Sequence, residues 1–260
     1  MIKTAAANQM KSIQTRVSQS NGQSGDDWRS LRARRVARYH AFTLIELLVV
    51  IGIIALLAGL VVGGTRYAGA KMKESRIRAE LNALETAIEA YNAKFGHYPP
   101  DNVVRRTPVV VVNSVSNSLF YELTGVLVED NPPKFHLPNR SAGFGTLGLS
   151  TCFGVDGIEN ADPDPKKIVS FLPHLKSGQH AVINPASPAQ GELEVLVVPE
   201  PWPLTAVNQP TSVKGLNPWH YVRTQATNNP ASFDLWAEYV DGGKVKVICN
   251  WSKDVLEPGQ

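Results

Sequence analysis

Hydrophobic and polar positions fall into three regimes along this chain. Residues 1–27 are polar, rich in Ser, Gln, Asn and Lys, and show no sustained apolar period. Such a segment cannot bury enough apolar surface to offset its ordering entropy, so it reads as disordered. From Phe42 to Val62 the pattern inverts: 21 residues carry a single charge, Glu46. As a helix rising 1.5 Å per residue, this run spans roughly 30 Å, the thickness of a bilayer's hydrocarbon core. Gly52, Gly59, Gly63 and Gly64 would weaken such a helix in water but suit close packing in a membrane. After Thr65 the third regime begins without a helix breaker. Ile77, Leu81, Leu84, Ile88, Tyr91 and Phe95 recur at alternating spacings of four and three, one apolar stripe on an otherwise polar helix. Glu74 and Arg78 stand at the favourable i, i+4 offset. Gly96 fits a C-terminal cap and Pro99–Pro100 prevents continuation. One helix is therefore predicted from about Phe42 to Phe95, apolar all round in its first half and amphipathic in its second.

The stripe needs a body to pack on, and only residues 96–260 can supply it. Strands are predicted at 108–115 (PVVVVNSV), 193–198 (LEVLVV), 233–240 (FDLWAEYV) and 244–251 (KVKVICNW). A short helix is predicted at 117–125 (NSLFYELTG), and DGG at 241–243 signals a hairpin between the last two strands. Between 129 and 192 turn formers dominate and the pattern assigns no element. The fold class is thus α+β: a long N-terminal helix packed on a small antiparallel sheet domain, with a large loop-rich segment.

Charge sharpens the picture at the N-terminus. Residues 1–41 hold eight basic and two acidic side chains, a balance of +6 within a net charge of +3; the remainder holds 18 basic against 21 acidic, or −3. The cluster RSLRARRVAR (29–38) lies just before the apolar run, where a cytoplasmic flank carries its positive charge. The acidic remainder gives no basic face for nucleic acid. Two cysteines, Cys152 and Cys249, make neither a disulfide framework nor a CxxC metal site; one bridge and two separate thiols both remain open. The six histidines form no i, i+4 pair, and GxSxG and P-loop patterns are absent. The glycine-rich GFGTLG (143–148) reads as a loop, and DGIENADPD (156–164) as an exposed, proline-punctuated turn without EF-hand spacing. Trp202, Trp219, Trp236 and Trp251 could form a carbohydrate or peptide platform, with core packing expected for at least two. The chain is read as a non-enzyme.

The stretch AFTLIELLVVIGIIALLAGL (41–60) resembles the N-terminal signature of type IV pilins and type II secretion pseudopilins. The resemblance implies that a cytoplasmic prepilin peptidase cuts between Ala41 and Phe42 and that the new amine of Phe42 is methylated. Glu46 becomes the fifth mature residue, and residues 1–41 become a cleaved leader. Ala41 departs from the Gly usual before the cut, and the leader is long for the family, with Met10 an alternative start. The physical logic of Glu46 stands apart from the family: a carboxylate beside hydrocarbon persists where it gains a partner. A free amine on Phe42 of a neighbouring subunit is such a partner, so Glu46 favours assembly.

A second resemblance lies at the other end. YNAKFGHYPPD (91–101) and NPWHYVRTQATNNPASFDLWAEYVDGG with ICNW look like the major pseudopilin of type II secretion. The matching positions are Pro218, Trp219, Tyr221, Phe233, Asp234, Leu235, Asp241, Gly242, Asn250 and Trp251. Residues 102 to about 200 lie outside it, as an insertion on the family core. Calcium is the one cofactor the resemblance raises. Asp241 matches the family's first acidic position, but Lys244 and Lys246 replace the acidic stretch that should follow.

The whole implies residues 42–64 as transmembrane and filament-core helix, 65–95 as its amphipathic half, and 96–260 as an extracytoplasmic domain. The protein would sit in a bacterial inner membrane by a single pass, N-terminus cytoplasmic and C-terminal domain periplasmic. Its partners would be further copies of itself, other pseudopilins, the prepilin peptidase and the inner-membrane secretion platform. Rival readings are a type IV pilus subunit for adhesion or DNA uptake, and a signal-anchored extracytoplasmic binding domain.

Overall fold

In a computed structural model of the chain, the structure describes residues 42–130, 132–140, 143–183, 191–204 and 209–258. The polar segment 1–27, the basic cluster 29–38 and Ala41 lie outside these. The chain divides into two units, one reaching to Ile54 and the other beginning at Ala55. Helix α1 runs Leu44–Phe95. It ends as the sequence predicts: Gly96 takes φ +81° and donates its amide to Asn92 O at 2.8 Å.

In the second unit the predicted stripe is the core face of α1. Ile77, Leu81, Leu84, Ile88 and Tyr91 are buried, joined by Ala87, while Phe95 is partly buried. The expected Glu74–Arg78 pair does not form. Glu74 turns back to Lys71 (2.8 Å), and Arg76 reaches Glu80 (3.4 Å). Arg78 instead buries a guanidinium nitrogen that has no hydrogen bond among the described residues.

Strands β9 (His220–Val222), β10 (Asp234–Asp241) and β11 (Lys244–Cys249) form an antiparallel sheet in the order β11-β10-β9. Strand β10 alternates as a half-buried strand should: Leu235, Ala237 and Tyr239 enter the core, and Trp236 and Glu238 take the other face. The DGG hairpin closes with Asp241 opposite Lys244, and Gly242 and Gly243 both take positive φ (58° and 79°). A two-residue turn of that hand needs such residues.

Between α1 and β9 the described residues form further small sheets. Strands β1 (Asn102–Arg105) and β2 (Val111–Asn113) make a hairpin, so the predicted strand 108–115 shrinks to three residues. Pro108 has no N–H for a ladder, and Ser114–Ser116 already bend away. Helix α2 (Leu119–Thr124) falls where expected. A four-stranded sheet has the order β5-β4-β3-β6, from β3 (Val126–Asp130), β4 (Pro133–His136), β5 (Gly143–Gly145) and β6 (Ala161–Asp162). Strands β7 (His180–Val182) and β8 (Glu194–Leu196) pair beyond it. β8 carries on into the first sheet through the Val197–Pro218 bridge and the bond from Trp219 N to Leu196 O, 3.0 Å.

Two expectations for this segment are corrected. GFGTLG is not a loop: Gly143–Gly145 is β5, and Thr146 opens helix α3 (Thr146–Phe153). Phe144 is buried and stacked on Phe135 (centroids 5.7 Å, 18°), which draws the strand into the sheet. Gly143 permits the approach, since a Cβ there would meet Phe135 O at 2.6 Å. Nor is 156–164 an exposed turn. Ile158 and Asn160 are buried, and Asn160 Nδ2 donates to Glu122 O (2.9 Å) and Val169 O (2.7 Å). Asp162 and Asp164 cap their own turns through the amides of Asp164 and Lys166.

Glu122 ties α1 to this body. Its carboxylate accepts Tyr91 Oη (3.0 Å) and the amides of Glu159 (3.2 Å) and Asn160 (3.2 Å). Burial pushes the carboxyl up to about 7, against hydrogen bonds that pull it down.

Candidate assembly site at the head of the long helix

Helix α1 begins with a reciprocal cap. Thr43 precedes the first helical residue and Glu46 stands three positions on, the T-x-x-E spacing of a capping box. Thr43 Oγ1 accepts the Glu46 amide at 3.2 Å. Glu46 Oε2 accepts the Thr43 amide and the Thr43 hydroxyl, both at 2.9 Å. Two donors left over at a helix N-terminus are thereby satisfied within one chain. Both bonds to the carboxylate fall on Oε2; Oε1 takes none among the described residues. A negative charge in the first turn also suits the helix dipole. Cleavage before Phe42 would leave this box intact, because the Thr43 amide belongs to the Phe42–Thr43 peptide bond.

From Phe42 to Val61 every side chain is exposed. Phe42 is 80% exposed, and the window Leu44–Val61 has mean hydropathy 2.9 with none of it buried. In length and composition this is a helix able to cross a membrane. An apolar surface of that extent needs lipid or protein around it.

The C-terminal positions of the resemblance do structural work. Tyr221 Oη donates to Pro99 O (2.8 Å) in a buried contact, and Asp101 Oδ2 accepts the amides of Arg223 (2.9 Å) and Thr224 (2.7 Å). The turn after α1 is thus latched to the strand β9 region. Asp234 gathers the amides of Thr227, Asn228 and Asn229, each at 2.9 Å, and Asn250 Oδ1 accepts Leu235 N at 3.0 Å. Trp219 and Phe233 are buried, as is Trp202. Asp241, the calcium candidate, holds Lys246 Nζ at 3.0 Å. Among the described residues no group of three or more His, Cys, Asp or Glu is placed to hold a metal ion. Cys152 on α3 and Cys249 on β11 are thiols here, and burial raises both above the ordinary range.

Glu46 lies in the first unit, on α1; Asp241, Cys152 and Cys249 lie in the second, on β10, α3 and β11. Sequence reasoning missed Thr43 as the partner of Glu46, although the capping-box spacing was there to be read. It also missed Glu122, for which a glutamate inside an apolar helix was the only signal.

Residues 37–62 match the family model described as the prokaryotic N-terminal methylation motif. Neither the curated proteins nor the solved structures give a match to the chain. A long apolar N-terminal helix, a continuing amphipathic helix and several small antiparallel sheets make the arrangement α+β and pilin-like. The chain thus carries, at residues 37–62, the prokaryotic N-terminal methylation motif, at the head of a helix long and apolar enough to cross a membrane, on an arrangement that is α+β and pilin-like.

Proposed function

We propose that the protein is a structural subunit of a type II secretion pseudopilus. A prepilin peptidase cuts between Ala41 and Phe42, removes residues 1–41, and leaves Phe42 as an N-methylated amine. Residues 42–64 anchor the subunit in the inner membrane and then form the filament core, with the N-terminus cytoplasmic. Residues 65–95 carry the extracytoplasmic domain 96–260, whose segment 102–200 is an insertion on the family core. The observation that carries the reading is Glu46, the single charge between Phe42 and Val62, which falls within the residues that match the methylation motif.

The capping box adds a mechanism. In a lone inserted subunit, Glu46 Oε2 is held by Thr43 of its own chain, which makes the carboxylate tolerable at the membrane boundary. Oε1 stays available for a second donor. When subunits stack with their helices parallel and offset, the Phe42 amine of a neighbour supplies that donor, and a charge pair in low dielectric fixes the offset. Lateral packing of the apolar helices, with glycines at 52 and 59 allowing close approach, supplies the cohesion. Extension of such a filament against the inner-membrane platform would drive protein secretion, with other pseudopilins as companions. The C-terminal resemblance favours this over a type IV pilus.

The direct test is Glu46→Leu in cells carrying the secretion system. Membrane fractionation should find the variant inserted and cleaved, while sheared filaments and secretion are lost. Secretion at the wild-type level from Glu46→Leu would refute the assembly role.

A further inference from the structure

The face of the terminal sheet turned away from the core holds a cavity that the filament reading leaves unused. Asp234, Trp236 and Glu238 follow one another on that face of β10 and line a cavity of about 310 Å³. Trp251 and Glu257 close it from the segment after β11. That segment is fixed by a bridge between Val247 and Leu256, with N···O distances of 2.8 and 2.9 Å. The indoles of Trp236 and Trp251 meet at 67° with centroids 5.8 Å apart, two walls of a corner. Behind Trp236 the ring of His220 stacks at 4.7 Å and 20°. His220 is buried and burial pulls its pKa down to about 3, so no positive charge backs the indole.

The polar lining has one sign. Among the described residues, three carboxylates and no Lys, Arg or His line the cavity. Asp234 is already saturated by backbone amides. Glu238 is half-buried, and among the described residues its carboxylate accepts one hydrogen bond, from Trp202 Nε1 at 3.2 Å. Glu257, at the exposed rim, pairs with Lys244 at 3.0 Å.

We propose that this corner binds an organic cation, the ammonium or guanidinium of a lysine or arginine side chain presented by a partner protein. The indole faces carry negative quadrupole charge and attract a cation placed over them. Glu238 supplies the counter-charge at the cavity wall. The volume lies at the small end for ligand pockets, which suits one side chain better than a cofactor. Anions are repelled by the carboxylates. The site does not depend on which filament the subunit builds.

The test uses the full chain in detergent micelles, with its tryptophan indoles labelled with ¹⁵N. N-acetyl-lysine methylamide and N-acetyl-arginine methylamide are titrated in, with N-acetyl-norleucine methylamide as the uncharged isostere and glucose as a sugar. The indole signals of Trp236 and Trp251 should move with both cations and stay still with norleucine and glucose. The signal of buried Trp219 should not move. Trp251→Leu should weaken binding roughly tenfold, the scale of one desolvated cation–π contact. Glu238→Gln, which keeps an oxygen for Trp202, should weaken it while leaving the Trp219 indole signal in place. Equal shifts with norleucine would make the corner a plain apolar patch, and shifts with glucose alone would make it a sugar site. Either result, or no shift with the cations across the millimolar range, would overturn the proposal.

Discussion

Glu122→Gln isolates the link between α1 and the body that carries it. The carboxyl of Glu122 is buried, and its pKa rises from 4.5 to about 7 on folding, chiefly through burial. A raised acid pKa means that the folded state holds its proton after the unfolded chain has released it. Stability therefore falls as pH rises from about 4.5 to about 7, and levels off above that. At ~1.4 kcal/mol per pH unit, the interval corresponds to about 3 kcal/mol, to the accuracy of a unit in the shift. For a chain of this size that is a fall in midpoint of roughly 6–12 °C. Glutamine mimics the protonated acid: it keeps one oxygen for Tyr91 Oη and the Asn160 amide, now both on Oε2, and loses the acceptor for the Glu159 amide. Circular-dichroism melts of wild type and Glu122→Gln at pH 5, 6, 7 and 8 compare the two directly. Other titrating groups are common to both chains, so the difference between the curves belongs to Glu122. The variant should be the less pH-dependent by about 2 kcal/mol of that amount between pH 5 and 7. Parallel curves would refute the reasoning, because Glu122 would then titrate alike in the folded and unfolded states.

Further outcomes follow from single contacts. Thr43→Val removes the hydroxyl half of the capping box, so amide exchange at Glu46 and Leu47 in micelles should quicken roughly fivefold, with Thr43→Ser close to wild type. Tyr221→Phe leaves the buried Pro99 carbonyl without its donor and should destabilise by about 1–3 kcal/mol in a thermal melt. An unchanged midpoint would mean that water reaches that carbonyl. Calcium at millimolar concentration should leave the melting midpoint where EDTA leaves it, because Asp241 is engaged by Lys246. A rise with calcium would show a site forming around that hairpin.

The sequence makes the helix and its partition legible because periodicity is a local property. The stripe from Ile77 to Tyr91 is buried residue by residue. Glu46 was legible for the same reason, as one charge in an apolar run. The hairpin at Asp241–Lys244 was legible from its turn chemistry. What failed was non-local. Phe144 enters a sheet because Phe135 waits on the neighbouring strand, and no window around GFGTLG contains that fact. Asn160 is buried because Glu122 and Val169 need its amide, 38 and nine residues away. Strand β1 is short and bounded by charge, so its own pattern never reached the threshold for a strand.

The central claim is that the chain functions after losing residues 1–41, as a subunit whose Phe42 amine and Glu46 serve assembly. Intact mass and N-terminal sequencing of the protein purified from its native membrane test this most directly. The account predicts a mature chain that begins at N-methylated Phe42. A chain that still begins within residues 1–41 would leave Glu46 without the amine it is proposed to pair with, and would contradict the account.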